Sequence, residues 1–174
     1  MMCKRPQTMA LGLVLLVAGT AGHAQQSTAA DAQAPVAAQA ESEVTLPAAP
    51  QKASLLPFYV SPTATLDFAI DAKSLSVSPE GIVRYTLVIT SKAGASNISY
   101  EGIRCSSSEK KLYATGKPDG GWTPSRRDAW SPIWDVGANR QHAALVKDYF
   151  CEGKTVAGKA DTIIDRIRTK KPLK

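Results

Sequence analysis

The chain has three tryptophans, Trp122, Trp130 and Trp134. They fall together in a stretch rich in Gly and Pro that also carries Arg126 and Arg127, with Arg140 just beyond. Indole planes beside guanidinium groups suit sugar rings, peptides or acidic groups. Loops on a rigid scaffold are where such groups often act. Trp122, Arg126, Trp130, Trp134 and Arg140 are therefore the candidate ligand-binding residues. The competing reading is structural. The chain holds only three Phe, so the tryptophans would serve as core and cover the open end of a sheet.

His142 is the one histidine beyond the N-terminal segment that holds His23. An imidazole there could act as a general base. It shares a helical face with Leu145 and Tyr149, where a satisfied core histidine is the simpler expectation. Glu101 and Arg104 flank Cys105 and would form either a site or a structural ion pair. Asp67 and Asp71 share one face of their strand, and that face reads as solvent. No Gly-x-Ser-x-Gly elbow, His-Glu-x-x-His, EF-hand loop, phosphate loop or Gly-x-Gly-x-x-Gly is present. No catalytic, cofactor or metal site is assigned.

The cysteines follow from the compartment. Met1-Met2-Cys3-Lys4-Arg5 opens the chain with a short basic segment, and an apolar run follows over residues 9–18. Small residues come next, ending at Ala24. This is the order of a cleavable secretory signal. The run of roughly ten residues is too short for a spanning helix, which needs about 20. Cys3 lies ahead of the run rather than at the cut, which argues against a lipid anchor. Residues 1–24 are therefore expected to be removed on export. Cys105 and Cys151 remain, and two thiols in an oxidising compartment normally pair. Zinc ligation is the alternative, with His142 as a third ligand and a carboxylate as the fourth.

The elements that must position these residues begin after residue 54. Residues 25–54 are rich in Ala, Gln and Pro and lack aromatics. Such a stretch cannot bury enough surface to offset its chain entropy, and it reads as a disordered linker. Residues 55–174 then form one domain. Leu66, Phe68 and Ile70 alternate with polar residues as a strand with one wet face. Residues 82–90 are the strongest strand, with Tyr85, Leu87 and Ile89 on one side and Arg84, Thr86 and Val88 on the other. Residues 97–105 and 109–115 are further strands, and Pro118-Asp119-Gly120 is a turn. Asn139 is placed to cap a helix over 139–149, with Ala138, His142, Leu145, Val146 and Tyr149 inward. A short helix starts at Asp161. A small antiparallel sheet followed by one or two helices is an α+β fold, with Cys105–Cys151 pinning helix to sheet.

Residues 84–151 resemble the CNP1-like family. The resemblance is carried by Arg84-Tyr85-Thr86-Leu87-Val88-Ile89, by Gly94-Ala95 and by Asn97-Ile98-Ser99-Tyr100-Glu101-Gly102-Ile103-Arg104-Cys105. It continues through Lys111-Leu112-Tyr113-Ala114, Asp119-Gly120, Trp122, Trp130 and Ile133 to Asp148-Tyr149-Phe150-Cys151. It implies paired cysteines and the envelope of a Gram-negative, chiefly betaproteobacterial, cell. It brings no activity and no catalytic residues.

The net charge of the chain is +6. The linker is slightly acidic, so the basic excess sits on the folded part, much of it in the tail at Arg166, Arg168, Lys170, Lys171 and Lys174. A basic domain outside the cytoplasm meets anionic envelope components rather than nucleic acid. The expectation is a periplasmic, non-enzymatic module with no membrane anchor, binding an anionic envelope component or a periplasmic protein. The rival is a small envelope hydrolase using His142.

Overall fold

Alternating apolar residues and well-placed turns build an antiparallel meander. The computed structural model describes residues 41–137 and 140–173. The expected signal, residues 25–40 of the expected linker, and Ala138 and Asn139 of the expected helix start lie outside the described residues. The strands are β1 (Leu55–Pro57), β2 (Asp67–Val77), β3 (Ile82–Thr90), β4 (Ser96–Arg104), β5 (Glu109–Gly116), β6 (Trp122–Pro124) and β7 (Ser131–Pro132). They pair in sequence order from β1 to β6, and β7 pairs with the other end of β5. Two turns are tight enough to need positive φ, with Gly81 at 78° and Gly94 at 87°.

The two faces of the sheet follow from the register. Tyr85 stands opposite Glu101, Leu87 opposite Ile70, and Val83 opposite Ile103. Directly opposed residues share a face, so these form one side. The C-terminal elements cover that side: α1 (Arg140–Leu145), a π-helical turn (Val146–Phe150), the short hairpin β8 (Cys151–Glu152) and β9 (Thr155–Val156), and α2 (Ala160–Arg168). Leu145, Phe150, Ile163 and Ile167 join Ile70, Val83, Tyr85, Leu87 and Ile103 in one core, all with exposures of 1% or less. Full burial of one such side chain contributes on the order of 1.5–3 kcal/mol. Phe150 packs edge-on to Tyr85, with centroids 5.1 Å apart.

The arrangement is α+β, as the pattern of strands and helices predicts. The disulfide is present between Cys105 and Cys151, with Cα atoms 5.6 Å apart. It ties the chain just beyond β4 to the end of the π-turn. The helix expected over 139–149 differs in kind: its second half is the π-turn. Tyr149 and Phe150 at the end of this turn are both core, and the wider turn changes the 3.6-residue phase on which the helix reading rested.

The opposite face carries Arg84, Thr86, Val88 and Tyr100, all buried as well. Asp71 lies opposite Thr86 on this side. The expectation of a wet strand face fails there, because Asp71 is 2% exposed. Asp67 does face solvent, paired with Lys92. β2 shifts register between Asp71 and Ser76. Ser74 fills the break: its hydroxyl donates to the Asp71 carbonyl and accepts from the Thr86 amide, both at 3.0 Å.

Residues 41–54, expected as the end of a linker, lie on the domain. Their contacts converge on this second face, and we call residues 41–50 the strap. A 3-10 turn (Lys52–Ser54) then leads into β1.

Candidate functional site

The strap-covered face concentrates cations and aromatic rings. Arg84 of β3 faces Gly102 of β4, and Lys111 of β5 faces Gly102 from the other side. The β4–β5 register breaks between Tyr100 and Glu101, and Tyr113 falls in that irregularity. Gly102 is what admits Tyr113. A Cβ at Gly102 would lie 2.5 Å from the Tyr113 hydroxyl, so any other residue would push the phenol away.

Arg84, Lys111 and Tyr113 converge on one carboxylate, that of Glu41 in the strap. The Tyr113 hydroxyl donates a short hydrogen bond to Oε1. Lys111 Nζ is 3.0 Å from Oε2 and Arg84 Nη2 is 3.4 Å from Oε1. Burial opposes ionisation of Glu41, but the phenol, the ammonium and the guanidinium together outweigh it and hold the pKa below its ordinary value. Burial and the Glu41 hydrogen bond raise the Tyr113 pKa, so the phenol keeps its proton to donate. Arg84 also donates to the Ser42 carbonyl at 2.9 Å and to Glu80 at 3.0 Å. The Glu80 carboxyl is desolvated, yet backbone amides and the Ser42 and Ser78 hydroxyls lower its pKa to about 2.

The rings form a row on either side of this cradle. Trp122, Tyr100 and Tyr113 follow one another with centroids 6.1 and 5.6 Å apart. The Arg104 guanidinium lies 4.1 Å above the Trp130 ring, and Lys111 is also within reach of that ring. Asp128 pairs with Lys111 from the solvent side. A cavity of about 490 Å3 opens beside the cradle, lined by Glu41, Val44, Leu46, Lys111, Tyr113 and Asp128 among others.

The residues singled out in sequence divide. Trp122 and Trp130 join the cradle's surroundings. Trp122 does so by donating from Nε1 to the Pro47 carbonyl of the strap at 2.7 Å. Arg126 is exposed. Trp134 is 61% exposed and stands beside exposed Val136. Arg140 lines a separate, largely apolar hollow with Val60, Leu66, Phe68 and Ile89. The five are therefore not one site. Arg84, Lys111, Tyr113 and Glu41 were not singled out. The available signal was an arginine inside the apolar run of residues 82–90, a charge that a strand buried on both faces must pair.

His142 lies on the helix-covered face at 3% exposure. Its Nε2 is 2.6 Å from Glu101 Oε2. Glu101 also accepts from Tyr85 at 3.1 Å and Ser99 at 2.6 Å. Burial works against the Glu101 charge, but His142 and Ser99 outweigh it and lower the pKa. Nδ1 of His142 has no hydrogen-bond partner among the described residues. Arg104, expected beside Glu101, instead pairs with Glu109 at 3.6 Å. Among the described residues no cluster of three His, Cys, Asp or Glu could hold a metal, and no helix is long and apolar enough to cross a membrane.

The sequence profile of the CNP1-like family matches residues 36–168. The chain belongs to that family. The CNP1-like region thus begins inside the segment read as linker and takes in the strap as well as the sheet and helices. Cryptic neisserial protein 1 of Neisseria gonorrhoeae is 30% identical over 96 residues, 48% of this chain and 47% of the relative. The match spans about half the relative's length. No solved structure matches this CNP1-like chain.

Proposed function

We propose that the domain is a periplasmic, non-enzymatic binding module that takes a carboxylate-bearing envelope component or protein partner on its strap-covered face. The observation that carries this reading is the convergence of Arg84, Lys111 and Tyr113 on the Glu41 carboxylate. Three donors from two strands, set among tryptophan and tyrosine rings, form an acid-recognising surface. The basic excess of the chain favours acidic partners. The N-terminal order of basic, apolar and small residues supports the periplasm. The hydrolase reading is weaker because His142 is buried and its Nε2 is engaged by Glu101. A base must reach a substrate proton.

The test is in vivo crosslinking from a photoreactive residue at Trp130. Crosslinks that disappear when Arg84→Gln and Lys111→Gln are combined would support the reading. Unchanged crosslinks in that charge-neutralised chain would sink it. Periplasmic release of a chain beginning at Gln25 would support the location, and a chain retained with residues 1–24 in the cytoplasm would refute it.

A further inference from the structure

The strap contributes more than a side-chain carboxylate to the face. The Ser42 amide donates to Glu80 at 3.0 Å, and the Ser42 carbonyl accepts from Arg84 at 2.9 Å. Five residues on, the Pro47 carbonyl accepts from Trp122. The face therefore reads main-chain donors and acceptors together with one acid. That combination selects an extended polypeptide over a sugar or a lipid headgroup.

The strap is also held lightly. It pairs with no strand, and no residue from 41 to 50 is buried. The cavity of about 490 Å3 lies along it. Arg84 Nε, on a side chain with only 8% of its surface exposed, has no acceptor among the described residues. A carboxylate engaging Arg84 through both Nε and Nη2 would use a donor that Glu41 leaves idle, in the two-point geometry guanidinium groups favour.

We infer that the strap is a tethered, exchangeable occupant, and that the groove beneath it accepts an extended acidic segment of another polypeptide in its place. The inference rests on the binding reading above and adds to it the ligand class and the built-in competitor. A short tether holds its end at an effective concentration in the millimolar range. An incoming segment succeeds either by using the idle Arg84 donor or by acting on a chain whose strap has been released.

The experiment uses the whole mature chain and a fluorescent peptide of residues 41–51 (ESEVTLPAAPQ), followed by anisotropy. Glu41→Arg places a cation against Arg84 and Lys111 and releases the strap. The released chain is expected to bind the peptide at least tenfold more tightly than the unaltered chain. Adding Arg84→Gln, or replacing the peptide's first Glu by Gln, is expected to remove most of that gain. Equal binding by both chains would overturn the proposal, provided hydrogen exchange shows residues 43–50 of the variant freed. If Glu41→Arg fails to fold, Glu41→Gln enters the same titration under the same criteria. Concentration-dependent dimers of the unaltered chain formed by trading straps would also overturn it, because the occupant would then be a second copy. Charge-independent crosslinking at Trp130 alongside successful peptide exchange would remove only the envelope-partner reading. Charge-dependent crosslinking without exchange would remove only the strap.

Discussion

The two faces of one sheet are closed in opposite ways. On the helix-covered side, buried apolar residues surround a sealed polar cluster in which Glu101 meets His142, Tyr85 and Ser99. On the strap-covered side, the cover is a ten-residue segment with no buried residue, held by the Glu41 carboxylate, the Ser42 amide and hydroxyl and two main-chain carbonyls. Apolar burial scales with area and has no preferred partner. Contacts made by an acid and a few directed donors depend on chemistry that another molecule can reproduce. Apolar stabilisation is therefore concentrated on one side of β3 and β4, and directed polar contacts, on which the proposed binding rests, on the other.

The strongest way to break this contrast is on the stable side. Replacing both Cys105 and Cys151 by Ser should cost about 4 kcal/mol by the loop-entropy relation for a 46-residue separation. Urea unfolding measures it, and thiol titration of the unaltered protein should find neither cysteine free. His142→Leu should cost about 3–5 kcal/mol, because it leaves Glu101 buried without its partner. The double variant Glu101→Leu with His142→Leu should cost less than the two single changes added together.

The strap side should break more gently. Gly102→Ala forces the Tyr113 hydroxyl aside and should cost about 1–3 kcal/mol as local overpacking. The faster amide exchange should appear at residues 42–47 and not in α2. Acid should act here too. The Glu80 carboxyl is held at about 2 against an ordinary 4.5. A depressed carboxylate adds stability above its unfolded value and loses it as pH falls through the folded one. Strap release followed by Trp122 emission should therefore set in below about pH 4.5 and still be in progress at about pH 2, the folded value. A flat emission profile across that window would remove Glu80 from the account. Trp134→Ala should change neither stability nor peptide binding beyond about 0.5 kcal/mol, given its exposure.

Alternation and turn chemistry were enough to read most of the sheet, because both act within a few residues. Tyr85 and Leu87 point inward as their period of two requires. The π-turn was not legible, since Val146 and Tyr149 fit an ordinary helix and only packing against Tyr85 explains Phe150. The strap was hidden for a different reason. Residues 41–50 have no hydrophobic pattern, and what orders them is a long-range fit to Arg84, Lys111 and Trp122. Trp122 and Trp130 were legible as binding candidates through their residue type. The cradle between them depends on Gly102 and on the irregularity at Tyr113, and neither is visible without the register.

The placement of the disulfide has a mechanical consequence. The loop it closes runs from Cys105 to Cys151 and contains β5, β6, β7, α1 and the π-turn, but not the strap. Tension applied through the chain upstream of residue 41 reaches Glu41 first, then Ser42, then Pro47, loading these contacts one after another. β1 to β4 come next in line, and only the stretch from Cys105 to Cys151 is closed covalently against the same pull. A pull from the N-terminal side would therefore uncover the strap-covered face before it loaded any strand, and the disulfide-closed segment would be the last to move.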